Sequence, residues 1–353
     1  MKLTAITSEA WRNLVTGTSR AAVFAISLAL IVGVLCVSDA RAVVSLLGAA
    51  RTFQTSGAST IVLTAPHAVS GTRCEQLTHL AGVQAAGAIR QTTDLTTRAL
   101  PDAPLPQWQA TPGFTHVIAA TTTGQPGILA SEQVAAQLSL TPGDSLASDH
   151  GPLRIAGTYP YPDDGRLQTL TYAVIAPVPA TGTFDACWAR IWPPDALTSA
   201  LTRTALNGRD GTDINLTQLN DRYGDAFDGR ARFDQRPTRY ADLAALIAAL
   251  ILGFVSIRLR RLELSSALHC GVHARALHAQ TSLETLTWAA AGVVLCAPAV
   301  WIAATAGNPT DPTAVLLLQL RGLAAALLGT LVGATIATLT TRERHLFTYF
   351  KNR

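Results

Sequence analysis

Lysine is almost missing from this chain of 353 residues, because it occurs only as Lys2 and Lys351. A phosphate-binding loop of the form GxxxxGK[ST] needs an internal lysine, and the sequence has none that is preceded by such a pattern. The chain therefore does not hydrolyse ATP by that route. This absence excludes the large class of P-loop enzymes.

Charged residues are scarce as well, at 14% of the chain, whereas hydrophobic residues make up 48% and the mean hydropathy is +0.27. A soluble globular domain carries about 25% charged residues, so this composition indicates a membrane protein. The net charge of +4 is modest. We therefore expect membrane lipid and no nucleic acid among the partners.

The sequence also lacks a pattern that is typical of a catalytic or metal site. No Ser–His–Asp, Cys–His or paired-carboxylate arrangement stands out, so we predict that the chain is not an enzyme and holds no cofactor of its own. His269, Cys270 and His273 lie close together, but on a helix they do not share one face, which argues against a metal site. The acidic segments 163–164 and 210–213 are interpreted as turns, since neither fits a calcium loop.

Four apolar runs are long enough to cross a membrane as helices, for which about 20 residues are needed. We predict spans at residues 21–38, 240–257, 286–306 and 314–340. The first run has a rival interpretation as a secretory signal, with a cleavage site at Ala40-Arg41-Ala42. Its length and the twenty residues before it favour an uncleaved anchor.

Basic residues near the ends of these runs predict the orientation of the chain, because arginine and lysine are retained on the cytoplasmic side. They mark an amphipathic segment at 1–20, the connection at 258–285 and the tail at 341–353. We therefore expect a multi-pass protein of the cell membrane with both termini in the cytoplasm. The connection at 307–313 is then a short outer loop.

Residues 39–239 contain no span and alternate strand-like runs with shorter helical ones, which predicts an extracytoplasmic α+β domain between spans 1 and 2. Val83–Ile89, Thr115–Ala120 and Phe184–Ile191 are predicted as strands. Ile128–Leu140 is predicted as a helix, and Ser70 as the cap of an earlier one.

Cysteine usage agrees with that topology. Of the five cysteines, only Cys74 and Cys187 lie in the predicted outer domain, and they form an even pair in an oxidising compartment. We predict a disulfide between them, with two buried free thiols as the alternative. Cys36 and Cys296 lie inside apolar runs and are interpreted as packing residues.

The connection between the second and third spans carries a resemblance to a known family. Arg260-Arg261-Leu262-Glu263 is followed at fixed spacing by Gly271, Glu284 and Gly292, which is similar to the coupling segment of FtsX/MacB-type (type VII) ABC transporter permeases. A second match, from Ile128 to Gly157, is similar to the outer domain of that family. The predicted layout of one span, a large outer domain and three further spans is also the layout of the family.

The resemblance implies a permease subunit that works with a separate cytoplasmic ABC ATPase, which binds the ATP and Mg²⁺. It further implies a second permease copy, identical or related, and mechanical transmission of hydrolysis to the outer domain for export or extrusion. The residues that would couple the chain to the ATPase are Arg260, Arg261, Glu263, Gly271 and Glu284.

Several alternatives stay open on the sequence. A membrane-anchored regulator whose outer domain binds and activates a cell-wall enzyme would have the same layout, with an extracytoplasmic protein or peptide as its partner. A passively anchored receptor domain is a further alternative, although it would not need the cytoplasmic connection. Gly329 and Gly333 form a GxxxG motif that predicts close helix packing, for which a contact between two permease copies is one candidate.

Overall fold

The computed structural model describes residues 3–149, 151–194, 196–208 and 214–342. The turn predicted at 210–213 and the tail beyond residue 342 lie outside the described residues. The chain divides into two compact units. One, which we call the span unit, comprises the residues up to Ala49 and those from Gly229 onward, and the other, which we call the inter-span domain, is Ala50–Asp228.

The helices are, in chain order, α1 (Leu3–Val15), α2 (Ala21–Thr55), α3 (Gly71–Gln76), α4 (Phe114–Val117), α5 (Glu132–Gln137), α6 (Ala196–Leu201), α7 (Gly229–Asp234), α8 (Ala241–Arg258), α9 (Arg261–His269), α10 (Ala274–Thr305) and α11 (Thr313–Thr340). The strands are β1 (Thr60–Ser70), β2 (Val83–Gln91), β3 (Leu95–Thr97), β4 (Leu100–Leu105), β5 (Gln107–Ala110), β6 (Thr121–Thr122), β7 (Ile128–Ser131), β8 (Ser145–Ser148), β9 (Gly151–Tyr159), β10 (Val174–Pro177), β11 (Thr183–Ile191) and β12 (Asn215–Gln218). Short 3₁₀ turns occupy Leu77–His79, Gln168–Leu170 and Thr202–Ala205.

Four of these helices, α2, α8, α10 and α11, are long and apolar enough to cross a membrane. The chain is a multi-pass membrane protein, and the α+β fold between its first and second spans is the one predicted from the sequence. Two helices are longer than the apolar runs that marked them: α2 continues to Thr55, and α10 begins at Ala274. Hydropathy marks only the part of a helix that matches hydrocarbon, whereas helix propensity continues beyond it.

Glycine lets two of the spans approach each other closely. A Cβ on Gly329 would lie 2.4 Å from the carbonyl oxygen of Leu246, and one on Gly333 would lie 2.0 Å from that of Leu250. Both carbonyls belong to α8, so the GxxxG motif packs α11 against α8 within one chain. The idea that it joins two permease copies is therefore wrong, because the glycine face is already covered.

The strands of the inter-span domain form one mixed sheet in the order β12-β1-β11-β2-β5-β10-β7-β9-β8-β3-β4, with β6 paired to β9. The pairs β5–β10 and β7–β9 are parallel, and the other pairs are antiparallel. Strand β11 is buried on both faces. Trp188 belongs to the core on one face, and Cys187 and Ala189 belong to the core on the other.

The predicted disulfide is present and joins Cys74 to Cys187 with a Cα–Cα distance of 5.8 Å. Cys74 lies on α3, whose N-cap is Ser70; the Ser70 hydroxyl accepts a hydrogen bond from the backbone N–H of Arg73. Both features were predicted from the sequence, and the structure confirms them.

Two local predictions in this domain are wrong. Thr115–Ala120 is not a strand, because Phe114–Val117 is a short helix that packs Phe114 beside Trp188 with ring centroids 5.2 Å apart. Ile128–Leu140 is a strand followed by a helix, of which Ser131 is the N-cap; the Ser131 hydroxyl accepts a hydrogen bond from the backbone N–H of Val134. Ile128–Ser131 is fully buried between β10 and β9, and this tertiary pairing overrides its helix-like pattern.

Candidate coupling site between the second and third spans

Helix α9 is a short helix that ends in a glycine-dependent turn. Gly271 has a φ of +88°, its N–H donates to Leu268 O at 3.0 Å, and the N–H of Val272 donates to Ala267 O at 3.1 Å. This pair of bonds is the Schellman motif, which satisfies the last carbonyls of a helix. Since other residues adopt the left-handed conformation at a cost of about 1–2 kcal/mol, glycine is the residue that suits this bend before α10 begins.

One face of α9 is held by apolar packing in the span unit. Leu264 of α9 is buried in a cluster with Ile257 of α8 and Leu277 of α10, together with Ala334 and Ala337 of α11. An isolated helix of nine residues would be marginal in water, so its order comes from this packing. The position of α9 is therefore determined by the ends of three spans.

A buried ion pair fixes the start of α9. Arg260 is only 8% exposed, and its Nη1 donates to Oε2 of Glu284, which is 2% exposed. The same guanidinium donates from Nε and Nη2 to the two carboxylate oxygens of Glu263, at 3.0 and 2.6 Å. Burial alone would lower the pKa of Arg260, but the hydrogen bonds and charges of Glu263 and Glu284 outweigh it and raise that pKa.

The second carboxylate oxygen of Glu284 extends this network to the N-terminal helix. Oε1 accepts a hydrogen bond from Asn13 Nδ2 at 2.8 Å and one from Gln280 Nε2 at 3.2 Å. Asn13 lies on α1, and the hydroxyl of Ser19 donates to its backbone oxygen at 3.3 Å. One buried carboxylate thus connects α1, the start of α9 and the first turns of α10.

The structure separates the five predicted coupling residues into two groups. Arg260 and Glu284 are buried and paired with each other, so they hold the shape of the connection. Glu263, with a side chain 47% exposed, lies at the surface, as does Gly271, and Arg261 is half-buried. Whether any of them touches an ATPase stays a prediction.

Sequence reasoning missed the partner of this network on α1, Asn13. It also missed a second buried carboxylate, Asp39 on α2, whose oxygens accept from Arg236 Nε at 3.0 Å, Thr238 Oγ1 at 2.6 Å and Gln319 Nε2 at 3.1 Å. The feature of the sequence that could have indicated Asp39 is its position as an acidic residue directly after an apolar run. Asp39 joins α2 and α11 to the segment that leads into α8.

Comparisons with known proteins give structural relatives only, because no family model and no curated protein matches this chain. The periplasmic region of MacB from Actinobacillus actinomycetemcomitans is similar at 8% identity and a TM-score of 0.36, over 49% of this chain and 94% of that one. A domain of a protein described as a permease from Porphyromonas gingivalis is similar at 13% identity and a TM-score of 0.33, over 47% of this chain and 92% of that one.

A third solved structure is the extracellular domain of YknZ, a noncanonic ABC-type transporter from Gram-positive bacteria. It is similar at 15% identity and a TM-score of 0.31, over 46% of this chain and 100% of that one. All three structures are regions or domains of larger proteins, and each match covers about half of this chain.

Proposed function

We propose that this chain is the permease subunit of an FtsX/MacB-type ABC transporter. A separate cytoplasmic ATPase docks on α9, and hydrolysis in that partner is converted into movement of the inter-span domain for export or extrusion. The observation that carries the proposal is the buried Arg260–Glu284 pair, which fixes a short helix between two spans. A surface held in this way transmits a push from a partner into the spans.

The exposed side of α9 supplies a docking face of defined residues. Glu263, Ser266 and Cys270 are exposed and follow one another at intervals of three and four residues, so they lie along one side of the helix. The opposite side carries Leu264 and packs on the span ends. An ATPase that binds the exposed side of α9 would therefore move α8, α10 and α11 together.

The remaining parts of the proposal concern orientation and assembly. Arg258, Arg261 and Arg275 lie in or beside the connection that contains α9, which favours the cytoplasmic side for it and for both termini. The transporter contains a second permease copy, and ATP and Mg²⁺ are bound by the ATPase. Helix α2, 35 residues without a break, is a stiff element along which displacement can be transmitted.

The first test determines the side of the membrane on which α9 lies. Cys270 is exposed, Cys36 and Cys296 are buried, and Cys74 and Cys187 are joined in a disulfide. A membrane-impermeant maleimide should label Cys270 in inside-out vesicles and not in right-side-out vesicles, with Cys270→Ser as the control. Labelling from the outside would overturn the orientation and the docking proposal with it.

The second test concerns the ATPase itself. An ABC ATPase encoded beside this chain should co-purify with it and slow the maleimide reaction of Cys270. Glu263→Lys together with Ser266→Arg should abolish both effects, whereas Asp311→Lys, a charge reversal in the connection between α10 and α11, should abolish neither. If the docking variant still binds the ATPase, α9 is not the docking face; if no ATPase binds and a cell-wall enzyme does, the regulator alternative replaces the transporter.

A further inference from the structure

A cavity of about 460 Å³ opens in the inter-span domain beside β11. Cavities of roughly 300–1,000 Å³ hold small-molecule ligands in proteins, so this one has a suitable size. All of its lining residues lie in the inter-span domain, and none belongs to the coupling site. Its polar lining is basic and amide-bearing, with Arg51, Arg190, Gln54 and Gln84.

Arg190 has a buried nitrogen atom that lacks a hydrogen-bond partner among the described residues. It lies on β11 opposite Thr60 of β1, and its buried Nε donates to no atom of the described residues. Buried guanidinium groups are normally paired, because an unmade charge-assisted hydrogen bond is costly. Removal from water, and then the nearby positive charge of Arg51, lower the pKa of Arg190. Two like charges therefore face one cavity.

A third arginine in the same lining, Arg166, is paired with a carboxylate. Arg166 donates from Nε and Nη2 to the carboxylate of Asp164 at 2.9 and 2.7 Å, and from Nη2 to Thr55 O at 3.0 Å. Neither Arg51 nor Arg190 has an ion pair of this kind among the residues that the structure describes. The uncompensated positive charge is thus confined to these two side chains.

The lining of the cavity also has an apolar part. Val117, Ile118 and Leu219 form it and are also members of the hydrophobic core on that face of the sheet, and Pro160 and Pro162 complete it. A simple inorganic anion would use only the basic part of this lining. A ligand that uses both parts has an anionic head and an apolar body.

We propose that this cavity binds an amphipathic anion, with a phosphate or carboxylate head on Arg190 and Arg51 and its apolar portion against Val117, Ile118 and Leu219. The anion would accept the Nε–H of Arg190 and offset the repulsion between the two guanidinium groups. The binding itself does not depend on the proposed coupling to an ATPase. Only a role of this ligand as the transported cargo would rest on that proposal.

The test uses the full chain in phosphatidylcholine nanodiscs and measures binding of hexyl phosphate, hexanoate, inorganic phosphate and the neutral hexyl glucoside. We expect at least one of the two anionic amphiphiles to bind more tightly than the glucoside and than inorganic phosphate. Which head binds more tightly distinguishes a phosphate-bearing source from a carboxylate-bearing one. Arg190→Gln should weaken that binding about tenfold or more, the loss expected for a hydrogen bond to a charged group.

Two further variants keep the test independent of folding. Arg51→Gln alters an exposed side chain and should weaken binding of the same probe, whereas Arg98→Gln, an exposed arginine outside the cavity, should not. Without a probe, Arg190→Gln should melt at the same temperature as the wild type or higher, because it removes an unpaired charge. Equal binding of the glucoside, unchanged binding by the Arg190 and Arg51 variants, or a lower melting temperature for Arg190→Gln would overturn the proposal.

Discussion

Arginine with buried nitrogen atoms occurs in this protein in two opposite situations, and each has a consequence at the scale of the single residue. Arg260 forms ion pairs with two carboxylates, so its positive charge is compensated by adjacent side chains. Arg190 has no such partner among the described residues, and its buried Nε is unpaired. Compensation is expected where a residue maintains the fold, and its absence is expected where a ligand completes the site.

Removing one partner of the Arg260–Glu284 pair should be strongly destabilising. Glu284→Ala leaves a guanidinium buried beside a half-exposed Glu263, at a cost of about 3–5 kcal/mol to the span unit. The measurement is the thermal unfolding midpoint of the full chain in neutral detergent. Glu263→Ala, which removes the more exposed partner, serves as the control and should cost about 1 kcal/mol or less.

The double variant Arg260→Met, Glu284→Leu distinguishes a structural pair from a chance contact. Replacing both charges by apolar groups of similar volume leaves no uncompensated ion, so the double variant should be more stable than Glu284→Ala. The single variants Arg260→Met and Glu284→Leu complete the cycle, and if the loss of the double variant equals the sum of the losses of these two, the two side chains do not act as a pair. Stability alone would then give no support for a fixed α9.

At the scale of elements, α11 packs against α8 through glycine residues, whereas the contact between α2 and α10 includes a pair of large aromatic side chains. Gly329 and Gly333 bring α11 onto the backbone of α8. Phe24 of α2 and Trp288 of α10 meet with ring centroids 5.5 Å apart. Backbone contact between α8 and α11 leaves no room for a side chain, so this pair is the least tolerant of substitution.

Gly333→Ala should separate α8 from α11. The added Cβ would lie 2.0 Å from Leu250 O, a backbone atom that cannot rotate away, and we expect a cost of about 1–3 kcal/mol. Gly48→Ala is the matched control, because no atom lies within 4 Å of a Cβ there, and it should be neutral or stabilise α2 by about 0.5–1 kcal/mol. Equal midpoints for the two variants would contradict the close packing.

At the scale of the whole molecule, each unit has its own hydrophobic cores. The clusters of the inter-span domain lie on both faces of its sheet, and those of the span unit lie among the four long helices. The disulfide Cys74–Cys187 closes a separation of 113 residues inside the inter-span domain alone. Covalent and packing contributions to stability are therefore distributed differently between the units.

Reduction should affect one unit only. Opening a loop of this length should lower the stability of the inter-span domain by on the order of 4 kcal/mol, because the unfolded chain gains freedom. We expect its hydrogen exchange to accelerate in reductant while α8 and α11 of the span unit keep their protection. Reductant should have no further effect on the variant Cys74→Ala, Cys187→Ala, and a matching loss of protection in α8 and α11 would show that the units unfold together.

The sequence by itself determined the membrane class, the four spans, the α+β domain between the first two and the cysteine pair. Hydropathy adds up along a local window, and the only two cysteines in the predicted outer domain leave a single partner choice, so neither inference needs three-dimensional information. The Ser70 cap is equally local, since its hydroxyl bonds a neighbour three residues away.

Only the tertiary structure decided which distant side chains meet. The contacts Asn13–Glu284, Asp39–Gln319 and Gly333–Leu250 join residues far apart in the chain, and no local pattern encodes them. The same holds for Ile128–Ser131, where pairing with β9 and β10 outweighs local preference. Burial and charge compensation depend on the neighbours that folding supplies, which is why the network around α9 and the unpaired Arg190 could be found only in the structure.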